Sequence, residues 1–151
     1  MNRRTTIAMI CMLAVIAWTG AVSAQASSSS AMKTVKLPTG EEVFDLSGKW
    51  DVKVENYGDY ANYGSYQQTY QINQKGKSFT AIRLQDSPPP STGKAGSGSA
   101  LGEVDKSGIR KLDLISGGGS LLSSAKWQVS KDGNRIDIDV PNFVRQTWTR
   151  K

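Results

Sequence analysis

The chain has 151 residues, a formal net charge of +6, one cysteine and no histidine. Without histidine, and with Cys11 as the sole thiol, it lacks the usual zinc and copper ligand sets, any histidine triad and any histidine general base. Catalysis would fall to Asp, Glu, Lys, Tyr or Ser alone, so the composition points to a binding protein that is not an enzyme and uses no cofactor.

The first segment reads as a leader. Arg3 and Arg4 precede the apolar run Ile7 to Trp18, and small residues follow at cleavage spacing in Val22-Ser23-Ala24, with Ala24-Gln25-Ala26 as a second possibility. Residues 1–24 are therefore expected to be a secretory signal peptide that delivers the protein to the periplasm or the medium. The apolar run is too short to span a bilayer and no second one follows, so no membrane span is expected. Cleavage removes Cys11, Arg3 and Arg4, which leaves no disulfide and lowers the net charge from +6 to +4. The remaining charges are scattered, which argues against nucleic acid as a partner.

Residues 25–42 are polar, Ser-rich and turn-rich, the composition of a flexible N-terminal arm. Residues 43–151 form the expected domain, a series of short strand patterns. Trp50, Val52 and Val54 alternate with charged residues, and Tyr66 to Asn73 alternates again. Gln74 to Lys77 turns the chain, and Ser78 to Gln85 returns. Asp86 to Gly98 is rich in Pro, Ser and Gly and reads as a mobile loop. Further strands are expected at Ser99 to Asp105, Ile109 to Ile115, Leu121 to Ser130, Arg135 to Val140 and Phe143 to Lys151, with a hairpin turn at Asp132-Gly133. Eight strands with tight links predict an all-β, eight-stranded antiparallel up-and-down barrel, and a two-sheet β-sandwich is the alternative.

Every tyrosine falls between residues 56 and 70: Tyr57, Tyr60, Tyr63, Tyr66 and Tyr70. The spacing of three is not read as a helix, because Gly58, Gly64 and the neighbouring asparagines disfavour one. Arg83 alternates with Phe79 and Ala81, which directs it inward if those two are core. Asp137 and Asp139 share a strand face, which fits a solvated outer surface far better than a calcium site.

Leu46-Ser47-Gly48-Lys49-Trp50 at the first strand and Thr147-Trp148-Thr149-Arg150 at the last resemble the two ends of the calycin barrels. That superfamily takes in lipocalins, avidins and small bacterial protease inhibitors, and the last two are nearest in length. The resemblance implies that Gly48, Trp50 and Arg150 form the structural signature of a closed barrel end, with the cation across the indole. It also places the link between the first two strands at the open mouth. Tyr57, Tyr60 and Tyr63 would then rim the mouth, with Tyr66, Tyr70 and Arg83 continuing inward as ligand-binding residues. The expected partner is a small apolar or aromatic ligand. The other reading is a protein partner, with the arm entering a protease cleft as the inhibitor barrels imply, although the disulfide of those inhibitors has no counterpart here.

Overall fold

Alternation decides the architecture, because successive side chains of a strand face opposite sides of its sheet. The computed structural model describes residues 31–151; the signal-peptide residues and residues 25–30 of the expected arm lie outside them. The strands are β1 (Thr34–Lys36), β2 (Glu42–Phe44), β3 (Gly48–Asn56), β4 (Ser65–Lys75), β5 (Ser78–Arg83), β6 (Gly98–Asp105), β7 (Gly108–Ile115), β8 (Leu121–Leu122), β9 (Lys126–Val129), β10 (Arg135–Val140) and β11 (Val144–Arg150). All but the first two form one curled nine-stranded antiparallel half-barrel, in the order β8-β7-β6-β5-β4-β3-β11-β10-β9.

The apolar parity read from sequence becomes the inner face. Trp50, Val52 and Val54 of β3, Tyr70 and Ile72 of β4, Leu112 and Leu114 of β7, Ile136 and Ile138 of β10, and Trp148 of β11 are all buried in one cluster. Each fully buried aliphatic side chain contributes about 1.5–3 kcal/mol by leaving water. Trp148 meets Tyr70 edge-on, with ring centres 5.5 Å apart.

The meander returns on itself, since the last strand, β11, pairs with β3 through Trp148↔Val52 and Arg150↔Trp50. The backbone ladder nevertheless has two edges, β8 and β9. The single strand expected from Leu121 to Ser130 is broken at Ser123 to Ala125. Its first part pairs with β7 through Leu114↔Leu122, and its second pairs with β10 through Ile138↔Trp127. The residues explain the break. Two adjacent leucines cannot both face inward, so Leu121 is left exposed, and the two serines after them favour a turn. Trp127 reaches over the gap, its Nε1 donating to the Ile109 carbonyl at 3.1 Å. The sandwich alternative is not what forms. The second sheet is only the β1–β2 pair, Thr34↔Phe44 to Lys36↔Glu42.

That pair changes the picture of the arm. Thr34–Lys36, expected within a flexible segment, are strand-paired, because Val43, Phe44 and Leu46 are fully buried and draw the hairpin under one end of the half-barrel. The same end holds Trp50 and Arg150. The Arg150 guanidinium carbon lies 4.6 Å from the centre of the Trp50 ring, and its Nη1 and Nη2 donate to the carbonyls of Ser47 and Asp45. Trp50 Nε1 donates to Leu46 O at 2.9 Å. Gln74 ties the hairpin's exit to β4, accepting from Leu46 N and donating to Phe44 O.

Candidate functional site

The opposite end is open. Between β3 and β4 the chain forms a short 3-10 helix, Gly58–Tyr63, where a non-helical link was expected. Gly58, Gly64 and the asparagines disfavour an α-helix, whereas a spacing of three is the repeat of a 3-10 turn, in which residues i and i+3 eclipse. Tyr60 N donates to Tyr57 O and Gly64 N to Ala61 O, the bonds of that turn. Gly58 is required at its start: φ is +61°, and a Cβ there would stand 2.9 Å from the Asn142 backbone.

The turn separates the tyrosines. Tyr60 and Tyr63 are 41% and 37% exposed and lie side by side, with ring centres 5.9 Å apart. Tyr60 also meets Phe143 edge-on at 4.3 Å. Tyr66 is half-buried and Tyr70 fully buried, because both sit on the inner parity of β4. These four rings and Phe143 line a cleft of about 310 Å³, whose far wall includes Arg83, Leu114, Ser91, Thr92 and Ser116. Aromatic rings therefore line the cleft both at its exposed mouth and at its buried inner end.

Tyr57 is not part of it. Its hydroxyl donates to Asp139 Oδ1 at 2.8 Å, and the Arg145 guanidinium stacks 4.4 Å from its ring centre. Arg145 also pairs with Asp139 at 3.1 Å. Partial burial, helped by the bond to Asp139, holds the Tyr57 phenol above its usual range. Asp139 points outward on β10, so Tyr57 belongs to the outer surface and is corrected out of the mouth cluster. Asp137, on the same face, pairs with Arg135 at 2.8 Å, and that bond holds its carboxyl below the usual range. Each aspartate thus has its own arginine, and among the described residues no cluster of potential metal ligands occurs.

The segment Asp86 to Gly98, expected to be mobile, is held by a net of bonds. Asp86 accepts from Ala95 N at 2.9 Å and from Lys94 at 3.0 Å. Ser87 N donates to Gly93 O at 2.7 Å, and buried Gln68 donates to Ser87 Oγ. Pinned in this way, the segment supplies Pro90, Ser91 and Thr92 to the cleft. The turn Ser116 to Ser120 supplies the adjoining wall and packs closely on it, for a Cβ at Gly117 would stand 2.8 Å from Gly93 N. Phe143 and these two loops escaped sequence reading, because nothing local marks a proline-serine loop or a turn phenylalanine as a wall of a cleft built by distant strands.

At the cleft's inner end, burial pushes the Tyr70 phenol up to about 12, with the Ser99 hydroxyl and the Arg83 charge acting in the opposite direction. An unfolded phenol ionises near 10, so the folded chain keeps this proton over a range where the unfolded chain has lost it. The stability tied to Tyr70 is therefore whole below pH 10 and is lost as pH rises from 10 to about 12. In urea titrations at about pH 9 and pH 11.5 the wild type should lose about 2 kcal/mol more than Tyr70→Phe. Equal losses would mean that Tyr70 is not the group responsible.

Among the described residues, no helix is long and apolar enough to cross a membrane. Comparison of the chain with protein-family models, with curated proteins and with solved structures finds no match in any of the three.

Proposed function

We propose that this protein is an exported, non-enzymatic binding protein that takes a small apolar or aromatic molecule into the cleft beneath Tyr60 and Tyr63. The observation that carries this reading is the set of five aromatic rings, Tyr60, Tyr63 and Phe143 at the mouth and Tyr66 and Tyr70 behind them, on one cleft of about 310 Å³. Ligand sites are concave and begin at about this size, and this one sets aromatic rings beside hydroxyl groups and the Arg83 guanidinium. Tyrosine suits the task, offering a large rigid face at low entropic cost. Two half-exposed rings at a turn bring no comparable benefit to the fold.

The calycin-like reading of the architecture belongs to the same proposal. The stacking of Arg150 on Trp50 supports it, as does the pairing of β11 with β3. So does taking β8 and β9 as two halves of one strand, which makes the curled sheet an eight-stranded barrel with a seam. Export rests on the leader pattern of residues 1–24. The hairpin at Thr34–Phe44 leaves less of the arm free for a protease-inhibitor role, and its end of the half-barrel is the one opposite the cleft.

The experiment is a calorimetric titration with 2-naphthamide, a neutral bicyclic probe. Binding is expected, and Tyr60→Ala should weaken it by about tenfold, the equivalent of about 1.4 kcal/mol for one lost aromatic face. Tyr60 is exposed, so the variant should fold normally. An affinity untouched by Tyr60→Ala would place the probe elsewhere and remove the basis of the reading.

A further inference from the structure

Arg83 carries a charge that nothing in the fold answers. It stands on the inner parity of β5 opposite Tyr70, is 6% exposed and lines the cleft. Its Nη1 donates to Ser97 Oγ at 3.1 Å and to the Gly98 carbonyl, and its Nη2 to the Ile115 carbonyl at 2.8 Å. These acceptors are neutral. Exposed Arg110, Arg135 and Arg145 each have an aspartate, yet among the described residues no carboxylate lies within ion-pair distance of buried Arg83.

Leaving a charge buried without a counter-charge is costly. Holding the ends of β6 and β7 together explains the Nη1 and Nη2 bonds but not the choice of a cation, and it leaves Nε, fully buried, with no acceptor. The Nε edge of the guanidinium is shut off from solvent, so the hydrogen left for a ligand in the cleft is the second one on Nη2, which can make one charge-assisted bond to a carboxylate. Residue 93 is a glycine at that edge. A Cβ there would stand 2.8 Å from Nε, so the Gly93 backbone packs directly against that edge and closes it. Thr92 and Ser116, which also line the cleft, are the chain neighbours of Gly93 and Ile115 and bring hydroxyl groups to the same region.

Building on the reading of the cleft as a binding site, we propose that the ligand is an aromatic or apolar carboxylic acid. Its carboxylate is received by Arg83, and its body lies along Tyr66, Tyr63 and Tyr60. A single guanidinium matches a single negative charge, and the cleft volume suits a small acid whose apolar part is one or two rings.

The test is calorimetry on the whole exported chain with two probes of one shape, 2-naphthoate and 2-naphthamide, at pH 7 and low salt. The acid is expected to bind about tenfold or more tightly than the amide, the difference a charge-assisted pair in a shielded site supplies. Arg83→Gln should remove the acid's advantage, bringing the acid and the amide to equal affinity within about twofold of each other in the same variant. Equal affinities for the two probes in the wild type would overturn the carboxylate assignment while leaving the aromatic cleft in place. Failure of both to bind would overturn the cleft reading itself, and this inference with it. The wild-type comparison needs no variant, so it decides the matter even if Arg83→Gln does not fold.

Discussion

Replacing Trp50 by alanine is expected to destabilise the protein by about 4 kcal/mol, a large part of the 5–15 kcal/mol that holds a domain of this size together. The indole is fully buried and central to the end of the half-barrel that the β1–β2 hairpin covers. Three losses combine in the variant. A large cavity opens in the buried cluster to which Val43, Phe44 and Leu46 also belong. The Leu46 carbonyl loses its Nε1 donor. The Arg150 guanidinium loses the ring face on which it rests, and stays partly buried over a void. A cation over an aromatic face contributes about 0.5–2 kcal/mol depending on its desolvation. Trp50→Phe keeps a ring under Arg150 and fills much of the space, so it should cost roughly half as much. Urea denaturation of the two variants beside the wild type checks both figures. A Trp50→Ala cost below about 1.5 kcal/mol would show that the end cluster is not a principal source of stability.

Gly102→Ala should cost about 3 kcal/mol although it adds a single methyl group. Gly102 lies on the inner face of β6, paired with Phe79 of β5 and Leu112 of β7. A Cβ at that position would stand 2.0 Å from the Lys111 carbonyl oxygen and 2.8 Å from the Phe79 ring. The carbonyl belongs to the neighbouring strand and cannot step aside without disturbing the β6–β7 ladder. The bulge beside it, between Glu103 and Val104, already strains that register. The Phe79 ring lies over the glycine and fills the volume a side chain would otherwise take, a device that compensates for glycine inside a strand. In the double variant Phe79→Leu with Gly102→Ala the ring clash is relieved and the carbonyl clash remains, so less than half of the cost should be recovered. Full recovery in denaturation experiments would locate the whole effect in the ring.

The two variants act at different levels of legibility. Trp50 was readable as core from its alternation with Lys49 and Asp51, and only the resemblance of the two chain ends to calycin barrels suggested its place at one end beside Arg150. Gly102 carries no such sign. A glycine within a strand pattern is unremarkable until the strands on both sides are in place. The candidate site divides in the same way. The inward positions of Tyr66 and Tyr70 followed from parity with Ile72, because a strand's period of two leaves only two choices, whereas Arg83 stayed open between inside and surface until Phe79 and Ala81 were seen to be core. Tyr57 defeated that logic. It precedes a 3-10 turn, and its fate was decided by Asp139 and Arg145, more than eighty residues away in sequence.

What the sequence determined by itself was strands β3 to β7, β10 and β11, the inner and outer face of most of them, and a chemistry without histidine or, beyond Cys11, a thiol. These are local properties, set by period-two alternation, turn residues and composition, and they do not depend on which strand becomes whose neighbour. Tertiary structure decided three further things: the break between β8 and β9, the docking of residues 34–44 beneath Trp50, and the cleft itself. Its walls come from the 3-10 turn at 58–63, the pinned loop at 86–98, the turn at 116–120 and Phe143, segments that meet only because the sheet curls. Curl and closure are properties of the whole ladder, arising from accumulated twist and from where the last strand finds a partner, so no short window of residues encodes them.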